Sequence, residues 1–280
     1  MKIRKNSSDG FTLMELLVVI AIIVILAAVA FPVYGKIKAS SNKATALNST
    51  RNLAASIAPH AAENDGNLPF EETDKDNTDD SWNRATETES DGAWYNTLPR
   101  KIGAKGVGDY AKEKRYEAFY SKENILFLSG ATYPGPARRL EKPLFAFALN
   151  SMLQRKDKAQ EGSSNQGGSK QKFEVKLAAI HNPVRTVIFV EQGLPDEPAA
   201  CAGIAPAENY LGKSSGTAKS FVARYAEKGI LAFVDGHAEE VAAKDILRSN
   251  GDVLWEADWT TTNPSAICWT QSLADDPNED

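Results

Sequence analysis

Hydrophobic positions fall along the chain in three regimes. From Phe11 to Phe31 the sequence FTLMELLVVIAIIVILAAVAF is apolar on every side and carries one charge, Glu15, in 21 residues. At 1.5 Å rise per residue that run is long enough to cross a hydrocarbon core, so it predicts a transmembrane helix. After Pro32 the pattern turns amphipathic: Ile37, Ala44, Leu47, Ala54, Ile57 and Ala61 recur at helical spacings and define one apolar face. Asn64-Asp65-Gly66 and Pro69 predict the end of this helix, with Pro59 as an earlier point of ending or bending. A continuous helix from Phe11 to about residue 64 would be about 80 Å long, its second half lying on a sheet. The third regime holds short apolar runs of strand length: Ile125–Leu128, Leu144–Leu149, Thr186–Glu191, Ile230–Val234 and His237–Val241. A helix first and strands later predicts an α+β fold, a long N-terminal α-helix packed on an antiparallel β-sheet. The last two runs flank Asp235-Gly236, a pair suited to a type I′ turn with positive φ at both residues. They predict a β-hairpin in which Asp235 is a turn residue.

Polar stretches separate these elements. Residues 71–92 hold nine acids against two bases and read as a solvated loop; a calcium role there has no EF-hand spacing behind it. Residues 156–172 form a second polar, Gly/Ser-rich excursion, and no internal repeat is visible. With 280 residues and 42% hydrophobic content, a folded domain is expected beyond the first helix. The net charge of −5 becomes about −7 once residues 1–10 are removed, which argues against a nucleic-acid partner. Cys201 and Cys268 are too few for a disulfide scaffold and lack metal spacing; one bridge between them in an oxidising compartment stays open.

Charge counting does not orient the membrane segment. Lys2, Arg4 and Lys5 precede it, but Lys36, Lys38 and Lys43 follow closely. Glu15 is more informative, because a carboxylate within such a run costs about 2.5–3.5 kcal/mol on insertion scales unless compensated. The run holds no basic partner. Cleavage after Gly10 would create one, placing the new amine of Phe11 four residues from Glu15, and a neighbouring subunit could offer the same amine.

The basic leader, Gly10-Phe11-Thr12-Leu13-x-Glu15-Leu16 and the apolar run resemble the class III signal of type IV prepilins and type II secretion pseudopilins, a specific motif over the first tenth of the chain. The resemblance implies that a prepilin peptidase cuts Gly10–Phe11 on the cytoplasmic side and that the Phe11 amine is methylated. It also implies that Glu15 pairs with a neighbour's terminus in a filament, and that Pro32 is the proline that often kinks pilin first helices. The division that follows is a leader at 1–10, a transmembrane half-helix at 11–34, an amphipathic half-helix at 35–66 and an extracytoplasmic, β-rich pilin-like domain at 67–280. Implied partners are prepilin peptidase, other pilin-like subunits, an inner-membrane assembly platform and membrane lipid. The implied location is the inner membrane, single-pass, with the C-terminal domain in the periplasm and a surface or periplasmic filament after assembly. Two other readings compete: a secretory signal cut after Ala28-Val29-Ala30, and a plain anchor in which Glu15 is incidental.

A second resemblance extends over the C-terminal part. Trp94-Tyr95-x-x-Leu98-Pro99, Leu144–Asn150, Pro183-x-x-Thr186-Val187-x-Phe189-x-Glu191 and Phe233-x-Asp235-Gly236-His237 look like the prepilin-like family with a processing-associated His-x9-Asp-Gly domain, of planctomycete and verrucomicrobial type. The chain departs from that pattern at two places. Tyr225 stands where the family histidine usually sits, and Ser129-Gly130 replaces a common Cys-Pro.

Catalytic patterns are weak throughout. Gly212-x-Ser214-x-Gly216 satisfies the nucleophile-elbow spacing but lacks the preceding strand and following helix, so it reads as a polar loop. Gly212-Lys213-Ser214 lacks the upstream glycine of a phosphate-binding loop, since position 207 is alanine. The three histidines, His60, His181 and His237, are far apart in sequence, so no metal site and no cofactor is expected. Glu239 and Glu240 should point to opposite faces of a strand. Trp255, Trp259 and Trp269 read as core or subunit packing, with a carbohydrate- or partner-binding surface as the alternative. The expected function is structural and not enzymatic: a pilin-like subunit of a type IV pilus or secretion pseudopilus. The alternative is a membrane-anchored module binding a surface polymer or carbohydrate.

Overall fold

A computed structural model describes residues 12–70, 81–86, 92–154, 175–197, 211–246, 254 and 267–271. The two long polar stretches, Cys201, Trp255 and Trp259 lie outside these residues, apart from 81–86 and 92 of the first stretch. The chain divides into two compact units, Met1–Ser41 and Asn42–Asp280. Helix α1 covers Leu13–Ala55 and continues through Pro32, so that proline does not end the helix. In the first unit the large apolar side chains from Leu13 to Ile37 are exposed, as a membrane-facing helix without a soluble core requires.

Ser56 separates α1 from α2, Ile57–Glu63. Pro59 explains the break: it has no N–H to offer the Ala55 carbonyl, and its ring crowds that carbonyl. Ser56 takes up the slack, its N–H and hydroxyl donating to the Leu53 carbonyl at 3.1 and 2.6 Å. Pro59 then falls in the first turn of α2, where an N–H would have no helical partner anyway. The chain leaves α2 through Asp65 and Gly66, both at positive φ, with the Gly66 N–H bonded back to the Ala61 carbonyl. The predicted stop is therefore where the sequence put it, and the predicted bend is a true interruption.

The buried stripe of this helical pair in the second unit is Ala46, Thr50, Leu53, Ala54, Ile57 and Ala61. Leu47 is half-buried and Ala44 is exposed, so the apolar face is rotated slightly from the one read off the sequence. Four short helices that strand-length patterning missed follow: α3 Trp94–Lys101, α4 Val107–Lys112, α5 Tyr116–Phe119 and α6 Pro136–Glu141. The run Ile125–Leu128 is not a strand. The Asn124 side chain donates to the Phe119 carbonyl and accepts the Leu126 N–H, folding the segment into turns that still bury Leu126 and Leu128.

Five strands form one sheet in the order β3-β1-β2-β4-β5: β1 Phe147–Asn150, β2 Val187–Glu191, β3 Ser215–Gly216, β4 Lys228–Phe233 and β5 Ala238–Ala242. The β1·β2, β2·β4 and β4·β5 pairs are antiparallel, and the two-residue β3 joins β1 in parallel, so the sheet is mixed. β1, β2 and β4 are buried on both faces, which is why they read as continuous apolar runs, whereas the edge strand β5 carries the half-exposed Glu239 and Glu240. One face carries Phe147, Leu149, Ile188, Phe189, Ile230 and Ala232 and packs with Leu53, Ala54, Ile57 and Trp94. The other carries Ala148, Val187, Val190, Leu231 and Phe233 under Met152, Phe221, Ile246 and Trp269. A register shift between Val187 and Phe189 puts Ile188 and Phe189 on the same face, as a bulge does.

The β4–β5 hairpin is present, but its turn is not type I′. The Gly236 N–H bonds the Phe233 carbonyl at 3.0 Å and the Phe233 N–H bonds the His237 carbonyl at 2.9 Å, so Val234 and Asp235 are the central residues. Only Gly236 has positive φ, at 96°, which is the three-residue loop with a glycine bulge. Asp235 Oδ1 accepts the His237 N–H at 3.1 Å, a side-chain turn that holds Asp235 out of the left-handed region.

Candidate functional site

The membrane helix begins with a side-chain device. Thr12 precedes the first helical residue, and its N–H and hydroxyl both donate to Glu15 Oε2 at 2.9 Å. The Glu15 N–H in turn donates to Thr12 Oγ1 at 3.2 Å. This is a capping box, a threonine three residues before a glutamate, and it satisfies amides that the first turn leaves without partners. The Thr-x-x-Glu spacing is legible in the sequence, but from sequence alone Glu15 takes its membrane and filament-pairing roles and not this cap. Standing in the first turn, Glu15 meets the positive end of the helix dipole and lies at the edge of the apolar run. Within one subunit its carboxylate is therefore already hydrogen-bonded. Gly10 and Phe11 lie outside the described residues.

The other sequence candidates separate in space and role. Asp235 and His237 come together at the hairpin, with His237 Nδ1 2.6 Å from Asp235 Oδ1 and its ring stacked on Phe233 at a 4.4 Å centroid distance. Glu239 and Glu240 point apart as expected: Glu239 pairs with Arg185 and Glu240 with Lys43. Ser214 is buried, and its carbonyl accepts the Trp94 indole N–H at 2.9 Å and the Leu149 N–H at 3.0 Å. Its segment runs straight into β3, so the polar loop of the sequence reading is a short edge strand. His60 is buried in α2, and burial, then Lys101, holds its imidazole below the usual range. Cys268 is a half-buried free thiol whose pKa burial pushes up to about 11. Trp269 is in the core under the second sheet face.

One cluster escaped sequence reading. Arg224 is buried and reaches Glu191 Oε1 at 2.8 Å, Glu197 Oε1 at 2.9 Å and Oε2 at 2.5 Å, and the Gln192 carbonyl at 2.6 Å. Glu191 Oε2 accepts the Ile230 N–H, while Glu197 accepts the N–H groups of Thr132 and Leu194. Burial opposes the guanidinium charge, but the Glu197 and Glu191 carboxylates outweigh it and raise its pKa. Every carboxylate oxygen is used, so the cluster is a clamp joining β2, β4 and three loops. Beside it lies Tyr225, whose phenol is pushed up by burial and next by Glu191. A Cβ on Gly130 would stand 2.6 Å from the Tyr225 hydroxyl. These partners come from four separate stretches of sequence, and no local spacing announces them.

Together these features define a class of protein: a chain with a prepilin-like N-terminal signal on an apolar, capped helix, and an α+β domain following it in sequence. Residues 5–31 match the family model of the prokaryotic N-terminal methylation motif, a stretch that includes Gly10, Phe11 and Glu15. No curated protein and no solved structure gives a match.

Proposed function

We propose that the protein is a pilin-like structural subunit, cut by prepilin peptidase between Gly10 and Phe11, methylated on the Phe11 amine and assembled into a type IV pilus or type II secretion pseudopilus. The methylation motif at residues 5–31 is the observation that carries this reading. The exposed apolar surface from Leu13 to Ile37 supports it, because a filament centre would bury on assembly what the membrane covers before it. Copies related by a repeated head-to-tail contact build an open filament. Glu15 would exchange its Thr12 bonds for a neighbour's Phe11 amine, an ion pair replacing bonds from neutral donors. The inner membrane is the site of processing, with the C-terminal domain in the periplasm and an inner-membrane platform and lipid as further partners.

The second resemblance gains support from how its pieces pack. Trp94 lies against Phe145, Phe147 and Phe189, Glu191 belongs to the Arg224 clamp, and Asp235-Gly236 turns the hairpin. The two positions of departure, Tyr225 and Gly130, touch each other. The larger tyrosine is accommodated because residue 130 has no side chain, so the two changes form one packing unit.

Mass spectrometry of the mature N-terminus is the direct test: an N-methylated Phe11 is expected, and a chain beginning at Met1 or Phe31 overturns processing. Glu15→Val tests assembly. Membrane insertion should survive while incorporation into filaments falls at least tenfold, and unchanged filaments would remove the assembly role. A membrane-anchored binding module is the second reading, favoured by a charged cleft of about 520 Å³ lined by Arg138, Lys142, Asp196 and Lys213. Under that reading Glu15→Val leaves function intact.

A further inference from the structure

The lysines beyond the membrane run are the sequence feature that filament assembly does not absorb. Lys43 is engaged, its Nζ 2.9 Å from Glu240. Lys36 and Lys38 are exposed in the first unit, and neither meets a carboxylate among the described residues. Cations on both flanks of a span oppose the usual asymmetry of membrane proteins, so the outer pair calls for a compensating partner.

Helix geometry says what that partner faces. Counting from Leu13, the first residue of α1, a hydrocarbon thickness of about 30 Å is crossed after about 20 residues, near Val33. Tyr34, exposed, then lies at the interface, and Lys36 and Lys38 stand about 5–8 Å beyond it, at headgroup depth. Two residues apart on an α-helix, the lysines project to nearly opposite sides, at about 200°, while Lys38 lies one turn above Tyr34 on the same side. An amphipathic ring at the carbonyl level under ammonium groups at the phosphate level is an interfacial anchor, with lysine stems able to reach along the helix.

We infer that Tyr34, Lys36 and Lys38 form a collar that binds the phosphates of anionic phospholipids, of phosphatidylglycerol type, in the outer leaflet of the inner membrane. The collar fixes the depth of the unassembled subunit and must be released when the helix is drawn into a filament. This inference rests on the membrane-spanning reading of α1. Each lysine near an anionic surface strengthens association about fivefold, so the pair contributes about 25-fold.

The test uses the full chain in mixed micelles holding equal amounts of phosphatidylglycerol and phosphatidylcholine, with retained lipids counted by native mass spectrometry. The leader cations contribute equally to every variant, so the comparison isolates the collar. The phosphatidylglycerol preference of the unaltered chain should exceed that of the Lys36→Gln, Lys38→Gln double variant by about 25-fold at low salt and shrink as salt rises. Lys43→Gln should match the unaltered chain. Equal preference in the double variant and the unaltered chain overturns the collar, and so does complete displacement of the lipid by inorganic phosphate, which would mark a free-anion site. Loss of the chain from reconstituted bilayers on alkaline carbonate washing overturns the membrane-spanning reading itself, and the collar with it.

Discussion

Arg224 shows how a buried charge is tolerated in this protein. Its guanidinium is enclosed with Glu191 and Glu197, and the carboxylate oxygens left over bind backbone amides. Such a cluster is not a large net stabiliser against apolar residues of the same volume, but removing one member leaves the others charged and unpaired. Arg224→Met should therefore lower stability by about 3–5 kcal/mol, read as a shift in the urea unfolding midpoint. His60 offers a contrast, a buried imidazole whose pKa is depressed by burial and by Lys101. A depressed histidine binds its proton more readily in the unfolded chain. Its contribution is complete above the unfolded value of about 6.5 and is lost as pH falls below it toward the folded value. Thermal unfolding between pH 7 and 5 should show a fall in midpoint that His60→Gln reduces. Neither role was legible in the sequence: Arg224 and His60 look like ordinary surface residues until the elements that enclose them are placed.

Element boundaries depended on single residues that do not show in hydrophobic patterning. Pro59 divides one predicted helix into α1 and α2 because the Ala55 carbonyl loses its donor. Asn124 turns a strand-length run into a buried turn because its side chain competes for the backbone. At the β4–β5 hairpin, Asp235-Gly236 correctly marked the turn, but the Asp235 side chain and the single positive φ at Gly236 selected a longer loop than the dipeptide suggested. Gly236 is also constrained from outside, since a Cβ there would lie 3.3 Å from the Ala55 backbone. Gly236→Ala should cost at least about 1 kcal/mol from backbone strain alone, measurable by chemical denaturation, and it should loosen the hairpin against α1 as faster amide exchange at Phe233, whose N–H bonds the His237 carbonyl.

At the scale of the molecule, the two units answer to different solvents. The first has a full surface of exposed apolar side chains from Leu13 to Ile37, and the second encloses a sheet between two cores. A chain beginning at Asn42 should fold without detergent, remain monomeric in gel filtration and sediment away from membranes; aggregation of that chain would show that the second unit requires the first. Length and uniform hydropathy determined the membrane helix by themselves, because lipid demands an apolar residue at nearly every position and a carboxylate only where something compensates it. The Gly10-Phe11 and Glu15 motif was equally legible, being contiguous, and so were four of the five strands: β1, β2 and β4 as continuous apolar runs buried on both faces, and β5 from the turn signal before it. Tertiary structure alone decided the parallel β3 edge, the four short helices, the Arg224 clamp and the contact of Tyr225 with Gly130. The β3 edge, the clamp and the Tyr225–Gly130 contact join residues distant in sequence, and the short helices α3, α4 and α5, too short to hold alone, form where their apolar side chains meet the core.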